Sequence, residues 1–205
     1  MEDTNTDLRV IRTKESIRHA LVELINEKGF EAITVKDITT RAKINRGTFY
    51  THYQDKFDLM MKYEEEIFLE ISKVLKKNFS SIIAAFGTNS LTETHMPLVV
   101  SIFEYLNENS EFMKAMLSPK GDLSFQERLK DIIWKTLFGS NSDALFKEEN
   151  LLVPEHYLAS YAVSAHIGVI QQWLNNGRKE SAQDMARILW TITANGPLFA
   201  AGLKK

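Results

Sequence analysis

Thr34 to Met60 reads TVKDITTRAKINRGTFYTHYQDKFDLM, and this stretch decides the fold. Thr34 followed three positions on by Asp37 is a capping-box pattern that opens a short helix, with Val35, Ile38 and Ala42 on its buried side. Lys43-Ile44 makes a turn, and Asn45 caps a second short helix reaching about Tyr53. Asp55 caps a longer one, in which Phe57, Met60, Met61, Tyr63, Ile67, Phe68, Ile71, Leu75 and Phe79 keep an inner face. Upstream, Ile17, Ala20, Leu21, Leu24 and Ile25 form one apolar stripe, which predicts a helix from Thr13 to Lys28. Gly29 ends that helix as the residue just past its last turn.

A short helix, a tight turn and a second short helix packed on a longer first one describe a helix-turn-helix. The second helix of such a unit enters the DNA major groove with its N-terminal residues against base edges. Each unusual residue between Asn45 and Lys56 then acquires a task. Arg46 starts the helix, where a guanidinium can donate two hydrogen bonds to a guanine edge. Gly47 lets backbone approach the groove, and Thr48 offers a hydroxyl and a methyl. Tyr50, Thr51 and His52 present donors for phosphates or bases, and Lys56 adds a cation at the next helix start for one backbone phosphate. Phe49 and Tyr53 are expected in the core. His52 has a plainer reading as a helix-end residue near the terminal carbonyls.

The whole chain is consistent with this. Its 205 residues are 44% apolar, enough for a real core, with only 4 prolines and 9 glycines, which favours long helices over a turn-rich β fold. Without cysteine there is no disulfide, thiolate catalysis or cysteine-bound zinc. No apolar run approaches the roughly 18 residues that span a bilayer, and the acidic start MEDTNTDLRV is unlike a secretory signal. A soluble, cytoplasmic protein is expected. The net charge of −2 hides a partition: Arg9 to Lys56 holds 10 Lys+Arg against 6 Asp+Glu, a net of +4, while the rest of the chain carries −6.

TVKDITTRAKINRGTFYTHYQDKFDLM resembles the DNA-binding domain of the tetracycline-repressor (TetR) family of bacterial regulators, over roughly residues 10 to 60. Gly29-Phe30, Thr34-Val35, Ile38, Ala42, Gly47-Thr48, Phe49-Tyr50, His52-Tyr53, Lys56 and Leu59 all fall where that pattern expects them. The resemblance implies an all-α homodimer of about nine helices, with a helix-turn-helix domain at 1–56 and a helical effector-binding and dimerisation domain at 57–205. It implies DNA contacts from Lys36, Arg46, Gly47, Thr48, Tyr50, Thr51, His52 and Lys56, although Lys36 and Lys43 can equally be solvated charges. One departure is Lys43, at a turn position often occupied by glycine in the family. A left-handed conformation there costs a non-glycine residue on the order of 1 kcal/mol.

Beyond residue 80 the helical pattern continues, with segments at Pro97–Asn107, Glu111–Leu117 and Leu123–Phe138, a long helix from Pro154 to Asn176, and a last one opened by a Ser181–Asp184 capping box. NNGRKESAQDMARILWTIT also resembles C-terminal domains of regulators from low-GC Gram-positive bacteria. Small residues at Ala159, Ala162, Ala165 and Gly168 let another helix come close, and with Met185, Ile188, Leu189 and Ile192 they are candidates for a dimer interface. Intrachain packing is the alternative. Phe103, Phe112, Met116, Trp134, Phe138, Tyr161, His166 and Trp173 are candidate liners of a pocket for a small effector, or plain core.

The five histidines are scattered without carboxylate pairing, so no metal site or cofactor is expected. No nucleophile–base set with meaningful spacing points to an enzyme. The expected function is a dimeric transcriptional regulator, a repressor released from a palindromic DNA operator by a small-molecule effector. The alternative is a coactivator of the same fold that binds a partner protein instead of DNA.

Overall fold

The computed structural model describes the backbone of residues 3–86, 91–138 and 151–203, and the side chains of 8–74, 97–132 and 151–203 within them. Among the described residues the chain is all-α, with no strand. The helices are α1 (Asp3–Lys28), α2 (Val35–Arg41), α3 (Arg46–Tyr50), α4 (Lys56–Phe86), α5 (Leu91–Glu108), α6 (Ser110–Met116), α7 (Leu123–Phe138), α8 (Glu155–Asn175), α9 (Ala182–Asn195) and α10 (Pro197–Ala200). The tenth, a single turn after Gly196, is the one beyond the nine expected.

Local chemistry sets most of the boundaries. Gly29 takes φ +79°, and its N–H bonds back to the Ile25 carbonyl at 2.9 Å. At Thr34 the capping box is complete: the Asp37 carboxylate accepts from the Thr34 N–H at 2.8 Å, and the Thr34 hydroxyl oxygen accepts from the Asp37 N–H at 3.2 Å. Asp55 Oδ1 accepts from the N–H groups of Phe57 and Asp58, while Asp58 Oδ2 accepts from Gln54, which fixes the start of α4 from both sides. Pro154 stands just before α8 as its cap and not inside its first turn.

Two starts differ markedly from expectation. α5 begins at Leu91 and holds Pro97, expected at its start, inside the helix, and α1 begins at Asp3, well before Thr13. Among the described side chains of α1, from Leu8 on, the first buried one is Ile17, and Leu8 and Ile11 are exposed, so this part has no core-facing stripe to announce it. It extends an established helix, which avoids the cost of nucleation.

The chain forms two compact units. The first comprises Met1–Glu66 and Glu111–Gln126, the second Ile67–Ser110 and Glu127–Lys205. In the first, Ile17, Leu21, Ile25, Phe30, Ile33, Ile38, Phe49, Leu59 and Met60 are buried together with Phe112, Met113, Met116 and Phe125. The returning segment is held by polar contacts too. The Phe30 N–H donates to the Lys120 carbonyl at 3.1 Å, and Lys120 Nζ donates to the Asn26 carbonyl at 2.8 Å. Lys120 therefore satisfies a carbonyl that the last turn of α1 would otherwise leave open. Gly121 must be glycine at the tight turn that follows, since a Cβ there would lie 2.2 Å from the Met116 carbonyl oxygen.

In the second unit α5 packs against α9, and Trp173 of α8 meets Phe103 of α5 edge-on with centroids 5.1 Å apart. The Trp173 indole N–H donates to the Glu180 carbonyl at 3.1 Å. Gly177 and Arg178 are both left-handed, at φ +78° and +57°, and the Arg178 guanidinium donates to Asn107 Oδ1 at 2.9 Å.

Candidate nucleic-acid interface

α3 is only five residues long, so its position depends on how it is tied down. Asn45 Oδ1 accepts from the Thr48 N–H at 2.7 Å and from the Thr48 hydroxyl at 3.0 Å. Phe49, 0% exposed, and Tyr53, 4% exposed, anchor the helix and its exit in the core, with their ring centroids 5.5 Å apart. Tyr53 packs on Tyr63 of α4 at 6.2 Å, and the Tyr63 hydroxyl donates to the Lys14 carbonyl of α1 at 2.9 Å. Burial raises the pKa of both phenols, which keeps them neutral.

The opposite side of α3 faces outward. Arg46, Gly47 and Thr51 are exposed, and Tyr50 is 56% exposed, its ring edge-on to Phe49. Lys36 at the start of α2 and Lys43 in the turn are exposed as well. Lys43 takes φ +55°, the left-handed conformation anticipated for this position. His52 is half-buried beside Tyr53, and its backbone carbonyl accepts from Lys62. The threonine hydroxyls are already engaged: Thr48 donates to Asn45, and Thr51 donates to the Thr48 carbonyl at 2.7 Å. A Cβ on Gly47 would come within 3.2 Å of Asn45 Oδ1, so this glycine also protects the helix cap.

Lys56, expected opposite a phosphate, is placed differently. Its Nζ donates to the Phe30 carbonyl at 3.1 Å and the Glu31 carbonyl at 2.8 Å, and lies 4.9 Å from the centroid of Phe30 and 5.0 Å from that of Phe57. It ties the α1–α2 loop to the start of α4. Two other cations of the basic segment hold α2 on α1. Arg41 bonds Glu23 at 2.9 Å and forks onto Glu27 at 2.8 and 2.7 Å, and Lys28 bonds Asp37 at 2.8 Å. The Arg41 hydrogen bond lowers the Glu27 pKa, and the Lys28 hydrogen bond, with those from Thr34, holds Asp37 well below the usual carboxylate range. Arg18 lies over the rings of Phe112 and Tyr63. Sequence reasoning missed these ties, although Glu23 and Glu27 stand one turn apart on α1.

The remaining cations between Arg9 and Lys56 are Arg9, Arg12, Lys14, Lys36, Lys43 and Arg46. Their side chains have no hydrogen bond or ion pair among the described residues. The basic excess seen in the sequence is thus not dissipated internally. It is left at the helix-turn-helix and at the start of α1.

The described candidate pocket residues fall in both units. Phe112 and Met116 are core residues of the first unit, while Phe103 and Trp173 pack together in the second. Tyr161 is exposed, and His166 Nε2 is 3.0 Å from the Thr193 hydroxyl, with burial lowering its pKa. Trp134 and Phe138 have side chains outside the described residues. The candidate dimer residues divide as well. Ala159 is 1% and Met185 4% exposed, inside their own chain's core. Ala162, Ala165, Leu189 and Ile192 are half-buried, Ile188 is exposed, and a Cβ on Gly168 would meet nothing within 4 Å.

Comparison with known proteins agrees with this arrangement. Residues 17–61 match the family described as bacterial regulatory proteins, tetR family, and residues 93–195, half of the chain, match its transcriptional regulator C-terminal region. The HTH-type transcriptional regulator YxbF of Bacillus subtilis (strain 168) is 23% identical over 178 residues, covering 87% of this chain and 44% of that protein. The HTH-type transcriptional repressor BepR of Brucella suis is 21% identical over 133 residues, covering 58% of this chain and 64% of that protein. The chain spans about half the length of the curated Bacillus relatives it matches. A TetR transcriptional regulator from Streptococcus agalactiae 2603V has the same fold, with a TM-score of 0.59, 22% identity and coverage of 93% of this chain and 98% of that one. These relatives are named as transcriptional regulators, which leaves the coactivator alternative without support. With both of its regions matched, the chain belongs to the TetR family of bacterial regulatory proteins.

Proposed function

We propose that this chain is a DNA-binding transcriptional repressor of the bacterial cytoplasm, which acts as a homodimer on a palindromic operator. The observation that carries this reading is the outward side of α3: Arg46 and Tyr50 project from a helix anchored by Phe49 and Tyr53, flanked by Lys36 and Lys43, whose ammonium groups have no partner among the described residues. A guanidinium at the start of a recognition helix suits a guanine edge, where a bidentate pair discriminates by about 1–3 kcal/mol. Lys36 and Lys43 suit phosphates, which position the helix without reading sequence. Thr48 contributes its methyl group, because its hydroxyl proton is held by Asn45.

In a dimer the two recognition helices must meet successive major grooves about 34–36 Å apart, or a multiple of that. The α8–α9 face carrying Ala162, Ala165, Gly168, Ile188, Leu189 and Ile192 is the surface we assign to that dimer. Release follows if a small effector binds the non-matching conformation more tightly, since a ligand shifts an equilibrium only by its differential affinity. The test is binding to the duplex upstream of the chain's own gene. Arg46→Ala and Tyr50→Phe are expected to weaken that complex relative to a scrambled duplex. Equal affinity of wild type and both variants for the two duplexes would remove the assignment.

A further inference from the structure

We infer that the N-terminal overhang of α1 is a second phosphate-binding element, in which Arg9 and Arg12 grip the backbone of duplex DNA beside the helix-turn-helix. This rests on the DNA-binding reading above and extends its footprint beyond α2 and α3. α1 starts at Asp3, and among its described side chains, from Leu8 on, the first buried one is Ile17, so about two turns of helix stand outside the core. Arg9 and Arg12 are exposed on this overhang, and neither guanidinium has a hydrogen bond or ion pair among the described residues.

Helical geometry fixes the side they occupy. Arg9 and Glu27 stand about five turns apart, and Arg12 and Glu23 about three, at roughly 3.6 residues per turn. Glu23 and Glu27 are the two carboxylates that hold Arg41 of α2. Arg9 and Arg12 therefore share the side of α1 that is turned toward the helix-turn-helix. The overhang also leaves the core at a telling place. Lys14, just beyond Arg12 in the chain, gives its carbonyl to Tyr63, whose ring packs on Tyr53 next to His52 at the exit of α3. The two arginines thus stand on the side of α1 that faces α2, whose first turn carries the exposed Lys36. Polyanionic backbone is the matching occupant, and the contact is indifferent to base sequence.

The salt dependence of binding counts such contacts. Each neutralised phosphate contributes about 0.9 to the slope of log K against log salt, so removing two lowers the slope by about 1.8. Between 50 and 200 mM salt, wild type is expected to lose about tenfold more affinity than the Arg9→Ala/Arg12→Ala variant. Alanine favours helix, so the overhang persists in that variant, which circular dichroism checks. The double lysine variant, Arg9→Lys/Arg12→Lys, should restore the slope, and Lys114→Ala, at an exposed position of the largely buried α6, should leave it unchanged. Three results would overturn the inference: an unchanged slope in the double alanine variant, no restoration by lysine, or an equal fall in Lys114→Ala. Wild type that fails to bind any duplex at 50 mM salt would instead overturn the DNA-binding reading beneath it.

Discussion

Replacing Lys56 with alanine separates two roles that the sequence left superimposed. A phosphate-facing lysine contributes to DNA affinity and little to stability. The structure places Nζ on the carbonyls of Phe30 and Glu31, at 3.1 and 2.8 Å, and near the Phe30 and Phe57 rings. A hydrogen bond from a charged group is worth about 1.5–3 kcal/mol when well buried, and a cation over an exposed ring about 0.5–1 kcal/mol. The Glu31 carbonyl is exposed and the Phe30 carbonyl only part-buried, so water replaces much of what is lost. The expected net cost is about 1–2 kcal/mol, within the ordinary range for a single substitution. Urea denaturation followed by far-ultraviolet circular dichroism measures it, because the first unit contains no tryptophan. In parallel, binding to a random-sequence duplex over a salt series should give the wild-type slope. Unchanged stability together with a slope lower by about 0.9 would refute the structural role and return Lys56 to a phosphate.

Lys43→Gly relieves the left-handed backbone at φ +55°, partly offset by the greater freedom of glycine in the unfolded chain; a gain of about 0.5 kcal/mol is expected, with a weaker salt dependence of duplex binding. A lowered urea midpoint would contradict it. Gly168→Leu meets open space in the single chain, so the fold should survive while the dimer dissociates in sedimentation equilibrium; an unaltered dimer places the interface elsewhere. The Asp37 pKa is lowered in the folded state, so its stabilisation is present above its ordinary value near pH 4 and is lost as pH falls below that. Asp37→Asn should therefore be less stable than wild type at pH 6 and show a shallower acid limb below about pH 4. Parallel limbs for the two proteins would exclude this linkage.

The helices were largely legible because their limits are local. Thr34 with Asp37, Asn45 with Thr48, and Ser181 with Asp184 act across three residues, and Gly29 acts on its own backbone. Phe49 and Tyr53 were legible for a related reason, since a short recognition helix needs an apolar side. What the sequence concealed is long in separation. Lys56 reaches back to Phe30 and Lys120 to Asn26, and no periodicity marks a lysine for a carbonyl rather than for a phosphate. The pocket residues show a different ambiguity. Buried aromatics at helical spacing look alike whether they line a cavity or fill a core, and Trp173 edge-on to Phe103, both buried, shows the same ambiguity. The overhang of α1 was missed because its exposed Leu8 and Ile11 give no inward stripe.

The first unit is assembled from two stretches of chain, Met1–Glu66 and Glu111–Gln126, with Phe112, Met113, Met116 and Phe125 in its core and Lys120 closing the end of α1. On the ribosome, the reading head is therefore not finished when its own motif has been made. At about 5–20 residues per second, translation must run several seconds past Glu66 before the missing piece emerges. Closing so long a loop also makes this a late, high-contact-order event. Nascent chains that stop short of Gln126 carry the helix-turn-helix but lack the packing that completes its support, so the motif depends on a segment translated well after it.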